Sequence, residues 1–200
     1  DDPKLMVRFE SDGYQPVVSR IIQYEEGVVT LDVSLERSET LEMTVVDIEG
    51  RPAPGAMIGL VTPGSRLLLG PNGLVQRNNP GPSSLLRADE EGRVTIQKDP
   101  EVRRIVATGN QGTVGFSETT WAELQSKAVL TLAPWGRIRG RVLGTAGALE
   151  GKGITLGERQ QGPSDFHLDF KTQTDGEGGF EFAKAPAGLV RVQEQFVERS

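Results

Sequence analysis

The segment Ser164-Asp165-Phe166-His167-Leu168-Asp169-Phe170 holds the chain's single histidine beside a serine and two carboxylates. These are the residue types of a nucleophile, a base and an orienting acid. Alternation argues against that chemistry. On a strand, Asp165, His167 and Asp169 share one face and Phe166, Leu168 and Phe170 the other, and each two-residue step advances about 6.8 Å. The outer carboxylates then stand about 13–14 Å apart at Cα, too far to close on one ion or one reacting atom. The segment reads as an amphipathic strand with its polar side in water.

Other candidate chemistry is similarly thin. Asp89-Glu90-Glu91 and Asp175-Gly176-Glu177 offer two or three carboxylates each, the oxygen donors that calcium takes, but without an Asp-x-Asp-x-Asp-Gly ladder. Both read better as hairpin turns, in which Asp accepts backbone N–H groups and Gly92 or Gly178 supplies a positive φ. The Gly151-Lys152-Gly153 stretch has no following helix to lend a dipole to an anion. Cysteine is absent, which removes disulfides, thiolate catalysis and zinc-cysteine sites. No catalytic, metal or cofactor site is expected, and the chain reads as a non-enzyme. Tyr14, Tyr24, Trp121 and Trp135 could form a stacking platform for a sugar or peptide. In a binding module they would be exposed in a shared groove; in a spacer they would be buried at joints.

Strands must position these residues, because the apolar period is two almost everywhere. Strands are expected at Val28–Leu35, Leu41–Val46, Ala56–Val61, Arg93–Gln97, Val102–Thr108, Ala128–Leu132, Arg137–Leu143, Ile154–Leu156, Phe166–Phe170, Gly179–Phe182 and Val190–Gln193. Val46 and Ile96 read as core residues. Strands recurring every 8–12 residues or so indicate a sandwich or barrel. Helical period is confined to residues near Trp121, where Thr120 and Glu123 have capping-box spacing. Pro63 to Pro82, rich in Gly, Pro and Asn, is expected to be a mobile surface connection.

Composition agrees with an all-β chain. Twenty-five glycines and 12 prolines in 200 residues make it rich in turns, and 36% apolar residues are enough for a core. A net charge of −6 argues against nucleic acid as a partner, since phosphates select the opposite sign. No apolar run is long enough to span a bilayer, so no membrane insertion by this segment is expected. The chain opens on Asp1 and not Met, which leaves room for an export signal upstream.

An internal repeat organises the chain. Leu41–Leu60 aligns without gaps on Arg137–Leu156, placing Val46 on Val142, Gly55 on Gly151, Ile58 on Ile154 and Leu60 on Leu156. Asp89-x-x-Gly92-x-Val94-x-Ile96 aligns on Asp175-x-x-Gly178-x-Phe180-x-Phe182. Val7–Leu35 resembles Val106–Leu132, with Gly13 against Gly112. The repeat divides the chain into three units: residues 1–37, the closing part of a first sandwich; residues 38–134, a whole unit; and residues 135–200, the opening part of a further one. Pro134-Trp135-Gly136 is too short for a free linker, so the joint is expected to be stiff. The two ends are complementary in content, closing strands at one and opening strands at the other.

The anchors Val45-Val46-Asp47-x-x-Gly50-Arg51-Pro52-x-x-Gly55-Ala56-x-Ile58-x-Leu60, Asp89-x-x-Gly92-x-Val94-x-Ile96 and Gly13-Tyr14-x-Pro16 resemble the carboxypeptidase regulatory-like domain. Bacteria often string this domain in tandem. The resemblance implies transthyretin-like (prealbumin-like), Ig-like β-sandwich modules with at most one short helix. It also implies a non-catalytic, extracytoplasmic role as a spacer or protein-interaction segment, with neighbouring domains of a larger protein as partners. A glycan- or peptide-binding module, such as the sensor part of a membrane protein, is the alternative. Gly144-Thr145-Ala146-Gly147-Ala148 departs from the Asp-x-x-Gly-Arg-Pro turn in the last unit.

Overall fold

The computed structural model describes residues 4–11, 13–62, 67–76, 85–99, 102–112, 115–145, 147–158, 166–188 and 190–194. The fold is all-β with one short α-helix among these residues. In the first stretch β1 (Lys4–Leu5), β2 (Arg8–Phe9), β3 (Val17–Val18) and β4 (Ile22–Gln23) form two antiparallel pairs, β2 with β3 and β1 with β4. A 3-10 turn at Tyr24–Glu26 ends on Gly27 at φ 65°. The strand expected at Val28–Leu35 does not form, and Val28 is 99% exposed. Its alternation is intact, but no described strand lies beside it, and unpaired strand amides are left to water.

The stretch expected as the middle unit forms β5 (Thr40–Val46), β6 (Met57–Val61), β7 (Leu67–Gly70), β8 (Gly73–Gln76), β9 (Leu85–Arg87), β10 (Arg93–Gln97), β11 (Arg104–Thr108), β12 (Phe116–Thr119), α1 (Trp121–Lys127) and β13 (Val129–Thr131). One sheet has the order β10-β5-β13, with β13 parallel to β5; the other runs β12-β11-β6-β9. Met43, Val45, Ile58, Leu60, Val94, Ile96, Ile105, Ala107 and Leu130 meet between them in one core. Alternation dictates this sandwich: in β10 the pattern of Arg93–Gln97 sends Val94 and Ile96 inward and the polar residues out. Ile96 is core as expected. Val46 is not: Val45 is fully buried, whereas Val46 is half-buried. Val46 lies on the other face, and its carbonyl, pointing along the sheet to β13, accepts the Leu132 amide at 2.8 Å.

Helix α1 starts on the expected box. The Glu123 amide donates to Thr120 Oγ1 at 3.4 Å, and the Thr120 amide donates to Glu123 Oε2 at 2.9 Å. It stops at Ala128, whose φ of 52° lies in the left-handed region and turns the chain into β13.

The stretch expected as the third unit forms β14 (Gly136–Arg141), β15 (Leu143–Gly144), β16 (Gly147–Ala148), β17 (Gly153–Glu158), β18 (Phe166–Leu168), β19 (Phe170–Gln173), β20 (Gly179–Ala185) and β21 (Val190–Glu194). β14 pairs with β20, and β17 lies between β19 and β21. The ungapped alignment of the two openings is corrected by one residue. Val142, not Arg141, occupies the place of Val45: Val45 N donates to Gly92 O and Val142 N to Gly178 O, both at 2.8 Å. The frame is restored at Gly55 and Gly151, whose amides donate to Ala88 O and Thr174 O. The Asp47 turn is closed by a carboxylate taking the Glu49 and Arg51 amides at 2.9 Å each. Its counterpart is the tighter β15–β16 hairpin, which accounts for the missing residue.

Candidate functional site

The site with most structure is the joint between the second and third units. Residues 67–76 are not a mobile connection but the β7–β8 hairpin, with Leu67 and Leu69 fully buried; residues 63–66 and 77–82 of the expected loop lie outside the described residues. Leu67 and Leu74 lie against the outer side of the second sheet, where an added Cβ on Gly59 would meet Leu67, Val106 and Leu74 side chains. A third layer therefore covers that sheet. From the third unit, β18 joins the hairpin in parallel, Phe166 opposite Leu67 and Leu168 opposite Leu69.

The expected continuous strand Phe166–Phe170 is broken at Asp169. Its amide donates to Leu69 O at 2.8 Å, after which β19 pairs with β17 instead. One strand thus serves two sheets, β18 on the middle unit and β19 on its own. His167 is exposed, Asp169 pairs with Lys171 at 2.8 Å, and Asp165 lies outside the described residues.

Apolar packing makes the joint continuous. Val61, Leu67, Leu69, Leu74, Val106 and Phe116 of the middle unit form one buried cluster with Ile154, Leu156, Phe166, Phe170, Phe182 and Ala185 of the third. Phe116 and Phe166 stack with ring centres 5.9 Å apart, and the Arg104 guanidinium lies 5.5 Å from the Phe166 ring centre. Trp135 packs edge-on to Phe170 at 6.0 Å.

Gly112 is the polar hub of the joint. Its carbonyl accepts Trp135 Nε1 at 2.8 Å and Lys184 Nζ at 2.9 Å, and Lys184 also donates to Pro71 O at 3.1 Å. Gly112 has φ 66°, and a Cβ there would lie 2.7 Å from Pro71 O. Only glycine fits both the conformation and the approach. Residues 110–112 are thereby pinned between the β7–β8 turn and the third unit.

The four aromatic candidates occupy separate surroundings. Trp135 is half-buried in the joint; Trp121 is half-buried against the middle core, and its Nε1 is buried without a hydrogen-bond partner among the described residues. Tyr14 is 38% exposed and bridges to Arg37, while Tyr24 is 78% exposed on the 3-10 turn. The acidic turns are engaged by their own backbones. Asp89 Oδ1 takes the Glu91 and Arg93 amides at 3.0 and 2.7 Å, and Asp175 Oδ1 takes those of Glu177 and Gly179 at 2.9 and 2.7 Å. Among the described residues no group of three or more His, Asp or Glu is arranged around a common metal position, and no helix is long and apolar enough to cross a membrane.

Neither a family model nor a curated relative matches the chain. A streptococcal ancillary pilin is similar in structure at a TM-score of 0.35 and 14% identity, over 96% of this chain and 66% of the pilin chain, just under two thirds of its length.

Proposed function

We propose that the chain is a non-catalytic spacer or protein-interaction segment of a larger exported bacterial protein, built from carboxypeptidase regulatory-like modules and joined to neighbouring domains. The carrying observation is the single apolar cluster that runs through the joint. Independent beads on a string would each close their own core, and their relative motion would be the default. Burying Phe166 and Leu67 against each other makes bending at the joint cost the exposure of apolar surface. The module identity and the extracytoplasmic setting, periplasm or cell surface, rest on the resemblance of the paired turn motifs.

Small-angle scattering tests the reading. The intact chain should give the narrow distance distribution of one conformer. Leu69→Asp, combined with replacement of Pro134-Trp135-Gly136 by Gly/Ser, should broaden it at a temperature where circular dichroism still shows a folded chain, and should lower the unfolding midpoint read at Trp121, because the middle core shares that cover. An equally broad distribution for the intact chain would remove the spacer role. A second reading, a glycan- or peptide-binding module, is supported by the exposure of Tyr14 and Tyr24 on the first stretch; it requires a ligand whose binding is lost on Tyr24→Ala.

A further inference from the structure

We propose that Asn72 is a self-modification site. The Gly73 nitrogen closes on its side chain, ammonia leaves, and water opens the ring to aspartate or to isoaspartate, the second of which loosens the joint between the second and third units. The inference rests on the geometry of that joint and does not depend on the spacer role. Asparagine is among the thermolabile residues. The chain has four, Asn72, Asn78, Asn79 and Asn110, and Asn72 alone precedes a glycine. A following residue without Cβ lets its nitrogen approach the side-chain carbonyl carbon with least obstruction.

The hairpin presents this pair to the reaction. Pro71 and Asn72 alone join β7 to β8, with Gly70 opposite Gly73. Asn72 is exposed, and its side-chain amide makes no hydrogen bond to a described residue. Nothing described holds its carbonyl carbon away from Gly73 N, and water reaches it from outside. Asp175-Gly176 has similar spacing and is held differently. Its Oδ1 takes the Glu177 and Gly179 amides at 2.9 and 2.7 Å, which locks the side chain on those donors, and an ionised carboxylate is a poor electrophile.

The chemistry needs only water and hydroxide. Hydroxide takes the Gly73 amide proton, and the nitrogen forms a bond to Asn72 Cγ. The bond from Cγ to the side-chain nitrogen breaks, and that nitrogen leaves with the electron pair, takes a proton from water and departs as ammonia. The five-membered imide left behind has two carbonyls, both bonded to Gly73 N. Water adds to one of them and its bond to nitrogen breaks. Opening at Cγ leaves aspartate in an unaltered main chain; opening at the main-chain carbonyl leaves a chain that runs through Cβ and Cγ, which is isoaspartate. Nothing is oxidised or reduced. Because the deprotonated amide is the nucleophile, the reaction quickens as pH rises.

The two products differ in what they do to the joint. Lys184 Nζ donates to Pro71 O at 3.1 Å and to Gly112 O at 2.9 Å, so the loop beside the reacting peptide is tied to the third unit. A Cβ on Gly112 would stand 3.0 Å from Gly73 N and 3.2 Å from Asn72 C, which places the reacting peptide itself against residue 112. Aspartate keeps the length of the main chain and leaves these contacts in place. Isoaspartate adds a methylene to the main chain of a two-residue loop. The strands cannot absorb it, because Leu69 and Leu74 are buried opposite each other. The displacement falls on Pro71 O and Gly73, the groups that meet Lys184 and Gly112.

The test ages the intact, folded chain in mildly alkaline and in mildly acidic buffer, then maps its tryptic peptides by mass spectrometry. Cleavage after Arg66, Arg77, Arg87, Arg104 and Lys127 puts Asn72, the Asn78-Asn79 pair and Asn110 on separate peptides. The peptide of residues 67–77 should lose its parent form, faster at alkaline pH, and gain two chromatographic forms of equal mass, one aspartyl and one isoaspartyl. The other asparagine peptides should persist, and Asn72→Ser should abolish the change. Aged protein should unfold at a lower midpoint than fresh protein and give a broader distance distribution in small-angle scattering. Asn72→Asp, which carries the charge without the added methylene, should match fresh protein, and aged Asn72→Ser should not drift. A parent peptide that survives in the folded chain but is lost from the urea-unfolded chain would mean that the hairpin protects Asn72, and overturns the proposal. Conversion to isoaspartate with midpoint and scattering unchanged overturns its link to the joint.

Discussion

Replacing Phe166 by alanine tests the shared core most directly. The side chain is 1% exposed and touches both units, stacked on Phe116 on one side and continuing into the strand that crosses to Leu67. Removing a buried Phe side chain costs about 3–5 kcal/mol when the surroundings cannot collapse into the space. Collapse is hindered here, because Leu67 and Leu69 are held by pairing on both edges of β7. In a chain of this size 1 kcal/mol moves a melting midpoint by roughly 2–4 °C, so the shift should be roughly 6–20 °C. The assay is denaturant and thermal unfolding followed separately at Trp121, with Trp135→Phe, and at Trp135, with Trp121→Phe. If the two units share one cooperative core, both probes should move together. A curve at Trp121 that ignores the substitution would refute the argument, since the middle unit would then be stable without its neighbour.

Three further outcomes rest on single residues. Gly112→Ala should cost more than Gly50→Ala: both positions have positive φ, worth about 1–2 kcal/mol to a residue with Cβ, but Gly50 has open space while Gly112 faces Pro71 O at 2.7 Å. Equal midpoints for the two variants would show that the approach to Pro71 relaxes freely. His167→Ala, at an exposed position on β18, should change stability by less than about 0.5 kcal/mol, and a larger loss in chemical denaturation would give the imidazole a role in the joint. Glu26 accepts two hydrogen bonds from Arg20 and one from the Gln23 amide, which hold its carboxyl at about 2, below the ordinary 4.5. Its contribution to the 3-10 turn is present above the ordinary value and is lost as pH falls from about 4.5 to about 2. Carboxyl NMR should show that low midpoint, and Arg20→Gln should raise it; an unmoved midpoint would mean that the ion pair does not form in solution.

Local pattern makes the turns and most strands legible in the sequence. Asp89 with Gly92 and Asp175 with Gly178 close hairpins through side chain to backbone bonds within four residues, so nothing distant is needed to specify them. The buried face of β5 is legible in Leu41, Met43 and Val45, which alternate with Glu42 and Thr44; Val46 falls on the outward parity, and its apolar type alone misleads. The β7–β8 hairpin is hidden for a different reason. Leu67-Leu68-Leu69 sits among glycines and prolines, and what fixes it is a parallel partner from β18, nearly half the chain away. No short-range signal encodes such a pairing.

A signal for that third layer is nevertheless present. The runs Ile58-Gly59-Leu60-Val61 and Ile105-Val106-Ala107-Thr108 do not alternate, and every residue in them is buried. Continuous apolar runs belong to strands covered on both faces, whereas a plain two-sheet sandwich leaves its outer faces in water and its strands alternating. The middle unit therefore announces, in two of its own strands, that something apolar has to lie outside it. Under that requirement the leucines of residues 67–69 and the phenylalanines of residues 166–170 are the available candidates, and the joint becomes part of the folding problem of the middle unit. Stiffness at the joint then needs no special linker chemistry at Pro134-Trp135-Gly136: a unit that borrows its outer layer from a hairpin and a neighbouring strand cannot rotate against that neighbour without uncovering its own β6 and β11.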